Sequence, residues 1–203
     1  LDPENCGPVT LSLPQDVQVE AFDYPEEFFA KRTHFIRQIA LDDMELTRAV
    51  EKLLQSKKPL IVAGGGVHYA KACEALQQFS EKHQIPVAET QAGKGSLAWN
   101  HPCYVGAIGV TGANAANNMA RQADVVLAIG TRLQDFTTGS RTLFANKKLL
   151  QLNVCRFDTI KHNALSLLGD AKLGILQLDK QLSTWKAPQS WFALGQKEIA
   201  KWN

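Results

Sequence analysis

Short, almost unbroken apolar runs recur along this chain at Leu60–Ala63, Ile85–Glu89, Val125–Ile129 and Leu149–Val154, each closed by Gly or polar residues, with Leu165–Leu168 reading as a further short one. Runs of that length and bounding suit strands buried on both faces of a parallel sheet. Between them the apolar spacing becomes helical. Leu46, Val50, Leu53 and Leu54 share one face of a helix that Asp42 or Asp43 can cap and that Lys57-Lys58-Pro59 ends. Ala72, Cys73, Leu76 and Phe79 point one way along a helix predicted over 69–82, and a further helix runs from Ala113 to Gln122. Ile175, Leu178, Leu182 and Trp185 mark another, and beyond Pro188 a terminal helix spans Trp191 to Trp202. Strands alternating with helices predict an α/β fold, a doubly wound Rossmann-like parallel sheet of about six strands with helices on both faces.

The first 42 residues do not follow this rhythm. Val9–Leu13 alternates β-formers and stops at Pro14, after which aromatic and charged residues mix without a period, as in a linker lying across a neighbouring surface. Three segments follow from this: 1–42 as an end strand plus linker, 43–186 as a central Rossmann-like domain, and 187–203 as a helical linker. Leu1 in place of a start Met reads as a piece of something longer.

At 203 residues and 45% hydrophobic content the chain can bury a substantial core. Its net charge of +2 is spread over scattered doublets such as Lys57-Lys58 and Lys147-Lys148, which argues against nucleic acid or a membrane surface as partner. Cys6, Cys73, Cys103 and Cys155 lie far apart without CxxC spacing, and no stretch resembles a signal peptide or a membrane span. Reduced thiols and a cytoplasmic location are the expectation.

Candidate chemistry gathers on glycine loops that follow the strands, where an open α/β sheet places its ligand crevice. Gly64-Gly65-Gly66 could present helix N–H groups to a pyrophosphate, yet Tyr69 stands where the GxGxxG fingerprint needs its third glycine, so a plain tight turn fits equally well. Thr90, Gly93, Lys94 and Gly95 form a second loop, with Glu89 before it as a partner for a ribose hydroxyl; a simple Gly-rich connector is the other reading. Gly130-Thr131-Arg132 puts an Arg at the same edge, for phosphate or carboxylate or for neutralisation by Asp135. His34, His68, His83, His101 and His162 show no metal-ligand spacing, and neither a GxSxG elbow nor a Cys–His pairing pattern is present. Gly169-Asp170-Ala171 and Asn117-Asn118 fall short of a Mg-diphosphate motif, which needs a second Gly and the reverse order.

Taken together, GPVTLSLPQDV, KKPLIVAGGGV, the long string from IPVAETQAGKGS through AIGTRLQDFTTG, and SLLGDAK resemble thiamine-diphosphate enzymes of the acetolactate synthase superfamily. The first string is similar to the closing strand of their pyrimidine-binding domain and the rest to their central domain. Within the family, DYPEEFFAKRTHFIR, GVTGANAAN and RLQDFTTGS are most similar to the branch that opens the ring of a trihydroxycyclohexane-1,2-dione in inositol catabolism. Thr111 and Gln134-Asp135-Phe136 differ from the carboligase pattern, which remains the alternative. The resemblance implies a C–C bond hydrolase using thiamine diphosphate and Mg²⁺, held by a pyrimidine-binding and a diphosphate-binding domain outside this chain, in a homo-oligomer, dimer or tetramer. This piece would be inactive alone. In some relatives the central domain also holds FAD or ADP, at positions matching Gly64, Gly65, Gly66, Thr90, Gly93, Lys94, Gly95, Gly112, Gly130, Thr131 and Arg132. Against that stands Gln151-Leu152-Asn153-Val154-Cys155 where FAD binders carry strand acids. A stand-alone FAD/ADP module is a second hypothesis, and an NAD-dependent deacylase or dehydrogenase a third that the missing glycine disfavours. Phe22, Tyr24, Phe28, Phe29 and Phe35 are expected to be exposed.

Overall fold

The computed structural model describes residues 2–5 and 7–201, and the chain divides into two compact units between Arg37 and Gln38. Cys6 and Trp202 lie outside the described residues, so the expectations placed on them are not addressed.

Among its described residues the first unit carries two 3-10 turns, Val17–Val19 and Glu26–Phe29, with no buried residue in either. The strand expected at Val9–Leu13 does not form, and its residues are exposed. A strand needs a neighbour to take its backbone hydrogen bonds, and none pairs with this segment among the described residues. The aromatic side chains cluster instead: Tyr24 meets Phe22, Phe28 and Phe29 at ring-centroid distances of 5.1, 4.9 and 6.0 Å.

The second unit opens with α1 (Asp43–Gln55), whose N-cap Asp42 accepts from the amides of Met44 and Glu45 at 2.9 and 3.3 Å. Leu46, Ala49 and Leu53 are its buried face, while Leu54 stays exposed. There follow β1 (Pro59–Ala63), a one-turn α2 (Gly66–Tyr69), α3 (Cys73–His83), β2 (Val87–Glu89), β3 (Tyr104–Ala107), α4 (Asn114–Gln122) and β4 (Val125–Ile129). The chain continues through a one-turn α5 (Asp135–Thr138), β5 (Lys148–Asn153), a one-turn α6 (Arg156–Thr159), β6 (Leu165–Leu168), α7 (Ala171–Leu182) and α8 (Gln189–Ala200). The helix expected over 69–82 is broken, because Lys71 takes a left-handed backbone (φ 51°) that an α-helix cannot contain. Trp185 lies beyond α7 rather than on it.

All six strands are parallel, in the order β3-β2-β1-β4-β5-β6. The chain lays down β1, β2 and β3 outward in one direction, returns through α4, and lays down β4, β5 and β6 in the other. The crevice of such a sheet lies where the direction reverses, between β1 and β4. There Ala63 is in register with Ile129 on one side and Glu89 on the other. β1 and β4 are buried at every position.

Helices cover both faces. Gly174 lets α7 approach β5, since a Cβ there would lie 2.7 Å from Leu152 Cδ2. On α8 the indole N–H of buried Trp191 donates to the Pro59 carbonyl at 2.7 Å. His83, fully buried, contacts the Trp185 carbonyl at 2.6 Å and Asp179 Oδ1 at 2.9 Å, with Lys82 on the same carboxylate oxygen at 2.8 Å. No helix of the described residues is long and apolar enough to cross a membrane.

Candidate functional site

At the switch point the loops after β1, β2 and β4 press backbone against backbone. The Gly64 amide donates to the Ile129 carbonyl at 2.8 Å and the Gly66 amide to the Gly130 carbonyl at 2.9 Å. A Cβ on Gly64 would fall 2.4 Å from the Gly130 oxygen, and one on Gly66 2.6 Å from the Gly130 Cα. Gly130 itself has φ +60°, so the absence of a side chain serves both conformation and contact. Gly93 lies equally close, its hypothetical Cβ 2.1 Å from the Ala63 oxygen, and Gly65 sits over Ala92. These glycines therefore bring the chain's own loops together, and two of the three amides in the Gly64–Gly66 turn are spent on them.

The remaining sequence-predicted residues divide between seam and rim. Thr90 is buried: its amide donates to the Ala63 carbonyl at 2.9 Å and its hydroxyl accepts from the Gly93 amide at 3.1 Å. Thr131 is buried too, and its carbonyl accepts from Gln151 Nε2 and Asn153 Nδ2, both at 3.1 Å. Lys94, Gly95 and Arg132 are exposed at the rim. Among the described residues Arg132 forms no ion pair, so the neutralisation expected from Asp135 does not occur. Gly112 joins indirectly. Its amide donates to the Gly109 carbonyl, and the Val110 amide reaches across the carboxyl edge to the Phe136 carbonyl at 2.8 Å. The loop after β3 thereby meets the loop after β4.

Three side chains take roles that differ from the sequence reading or went unremarked in it. Glu89, expected to meet a ribose, is buried and accepts from the Leu97 and Gly95 amides at 2.8 and 3.2 Å, which organises its own loop. Asn117, read as a helix face, brackets Gly109: Oδ1 accepts from its amide at 3.0 Å and Nδ2 donates to its carbonyl at 2.9 Å. His68 connects α2 to the second glycine loop, with Nε2 3.1 Å from the Lys94 carbonyl and Nδ1 3.5 Å from Cys73 Sγ. An Asn eight residues after a Gly was the available signal for the second; the His68 contact joins separate loops and left no local trace.

Neither Cys73 nor Cys103 is an activated nucleophile. Burial pushes the Cys73 thiol up from its ordinary value and the Cys103 thiol up to about 11, which keeps both protonated. Burial likewise raises Tyr104. Cys73, Cys103 and Cys155 are free thiols. Among the described residues no group of three or more His, Cys, Asp or Glu is placed to hold a metal ion. Among the described residues Gln151 Oε1 is buried without a hydrogen-bond partner, at the position where strand acids were missing from the sequence pattern. The arrangement is that of a packed crevice with a charged rim.

A family model described as the thiamine pyrophosphate enzyme central domain matches residues 46–178. The chain is 48% identical over 185 residues to a 3D-(3,5/4)-trihydroxycyclohexane-1,2-dione hydrolase from Geobacillus thermodenitrificans (strain NG80-2), a match covering 91% of this chain and 29% of that protein. Proteins of the same name from Clostridium tetani (strain Massachusetts / E88) and Bacillus thuringiensis (strain Al Hakam) are 46% and 47% identical over 183 residues, 89% of this chain and 28% of theirs. The chain thus spans less than a third of the length of these curated relatives.

Proposed function

The chain belongs to the thiamine pyrophosphate enzyme central-domain family, and from that premise we propose that it is the central domain of a hydrolase that opens the ring of trihydroxycyclohexane-1,2-dione. The observation that carries this reading is the breadth of the likeness: 46–48% identity runs over about nine-tenths of the chain, which is more than the central domain alone. The relatives' additional length is where thiamine diphosphate and Mg²⁺ would be held.

The residues of this chain do not fit that cofactor. Asp170 caps α7 by accepting from the Leu173 amide at 3.0 Å, Asn117 spends both ends of its amide on Gly109, and among the described residues no group of three or more His, Cys, Asp or Glu is placed to hold a metal ion. The domain's part is then mechanical: it supplies a rigid wall and a docking edge for the domains that perform the chemistry. We further propose that the glycine crevice is a structural seam in which the Gly64 and Gly66 amides are spent on the chain's own carbonyls, and that FAD and ADP do not bind there.

Two measurements test this. The full-length protein, supplied with thiamine diphosphate and Mg²⁺, is expected to hydrolyse the cyclic dione, whereas residues 1–203 alone should show no turnover. Acetolactate formation from pyruvate without dione hydrolysis would favour a carboligase instead. In a thermal-shift titration of the 203-residue chain, FAD, ADP and NAD should leave the melting temperature unchanged, because a ligand that binds only the native state must raise it. A saturable rise would overturn the seam.

A further inference from the structure

A concavity that none of the glycine loops lines lies between the chain joining β4 to β5 and the chain joining β5 to β6. Its volume is about 360 Å³, toward the lower end of the roughly 300–1,000 Å³ of small-molecule sites. Arg141, Lys147 and His162 line it, Phe144 and Leu149 give it an apolar floor, and no carboxylate of the described residues borders it. Two of the three basic groups are pinned. Lys147 Nζ donates to the Arg121 carbonyl at 2.6 Å, and His162 Nε2 lies 3.0 Å from the Leu133 carbonyl. Arg141 is held by its backbone, its amide donating to the Thr138 hydroxyl at 3.1 Å, while its exposed guanidinium makes no hydrogen bond or ion pair among the described residues.

Backbone conformation marks the same place. Arg141, Asn146, His162 and Asn163 all border the cavity, and all have positive φ, at 70°, 59°, 58° and 57°. Left-handed backbone is tolerable for Asn but costs Arg and His on the order of 1 kcal/mol each. Two separate connections thus hold a basic residue in a disfavoured conformation at the wall of one cavity. A concave wall bearing one sign of charge concentrates the opposite sign.

We propose that this cavity binds a small organic anion, a phosphorylated or carboxylated molecule of about sugar size. Arg141 supplies the two-pronged contact to the anionic group, Lys147 adds a second positive charge, His162 walls the site beside them, and Phe144 and Leu149 pack against the carbon skeleton. The volume exceeds what a bare ion fills, which is why the ligand is an organic anion.

Calorimetric titration of the 203-residue chain with ribose 5-phosphate and with gluconate tests the idea and separates the two sources of charge, with glucose as the neutral control. Saturable binding of at least one anion, and none of glucose, is expected. Arg141→Ala should weaken it by about tenfold or more, as loss of a charge-assisted pair does, and Arg141→Lys should fall between. Arg48→Ala, which removes an exposed cation from α1, should leave affinity unchanged. Unliganded melting temperatures of the variants show whether the fold is retained. Failure of both anions to saturate, or equal losses from Arg48→Ala and Arg141→Ala, would overturn the proposal.

Discussion

Gly130 and Gly95 share a left-handed backbone, at φ +60° and +86°, in opposite surroundings. A methyl on Gly130 would meet Gly66 Cα at 2.6 Å, backbone that cannot step aside, while one on Gly95 would meet nothing within 4 Å. Gly95→Ala should therefore cost only the conformational penalty, about 1–2 kcal/mol. Gly130→Ala adds an overpacking penalty of about 1–3 kcal/mol more. Urea denaturation of both variants checks this, and equal losses would mean that the seam yields easily. The glycines themselves were plain in the sequence. Their purpose was not, because a glycine that admits a phosphate and one that admits a neighbouring loop look alike until the loop is seen.

Asp124 offers a second test at this scale. Burial would raise its carboxyl, but the Ser56 hydroxyl and the amides of Lys57, Lys58 and Val125 outweigh burial and hold it below its ordinary 3.8. Asp179 is lowered in the same sense, with burial opposed by Lys82 and His83. A depressed folded value means that the unfolded chain takes up protons first on acidification. The stability from these groups is complete above the unfolded value and fades as pH falls through the folded one. Asp124→Asn should therefore destabilise most near neutrality, with the gap to the parent narrowing below about pH 4. A gap independent of pH would show that the carboxylate's charge contributes nothing.

At the scale of elements, α8 is fixed by one donor and one close approach. Trp191 gives its indole N–H to Pro59 in β1, and Gly195 admits Val105, Pro86 and Met119, its hypothetical Cβ lying 3.2–3.5 Å from each. Trp191→Phe keeps most of the volume but leaves a buried carbonyl unpaired, a loss of about 1–3 kcal/mol. Trp191→Ala also opens a cavity and should cost about 3–5 kcal/mol. Calorimetric unfolding orders the two, and equal losses would mean that the hydrogen bond, not packing, sets the cost. The elements themselves were unevenly legible. Val125–Ile129 was readable to the residue because a parallel strand buried at every position is apolar throughout, whereas Leu165–Leu168, which carries Ser166 and buries only Leu167, was legible from its three leucines ahead of Gly169. β3 was not, since its four residues include Gly106 at φ +100° and its pairing with β2 is irregular. Val9–Leu13 misled in the other direction: alternation reports β propensity, but pairing depends on a partner that local sequence does not contain.

At the scale of the whole molecule, the contrast is between a second unit with a continuous core and a first unit that buries almost nothing. Phe22, Tyr24, Phe28, Phe29 and Phe35 are all more than half exposed, Phe35 at 90%. Val9, Leu11 and Val19 are exposed beside them in sequence. Phe22, Tyr24, Phe28 and Phe29 meet edge-on or tilted, a partial shelter worth about 0.5–1.5 kcal/mol per pair, but apolar exposure on this scale is characteristic of surfaces that meet a partner. If that partner is the additional length present in the relatives, the isolated chain should bind an apolar fluorescent dye and self-associate as its concentration rises. Removing residues 1–37 should abolish both while leaving cooperative unfolding intact, because the core residues all lie beyond Arg37. Size-exclusion chromatography and dye fluorescence on the two lengths decide the matter. A monomeric, dye-silent full chain would mean that the aromatic cluster satisfies itself, and the first 37 residues would then need another explanation.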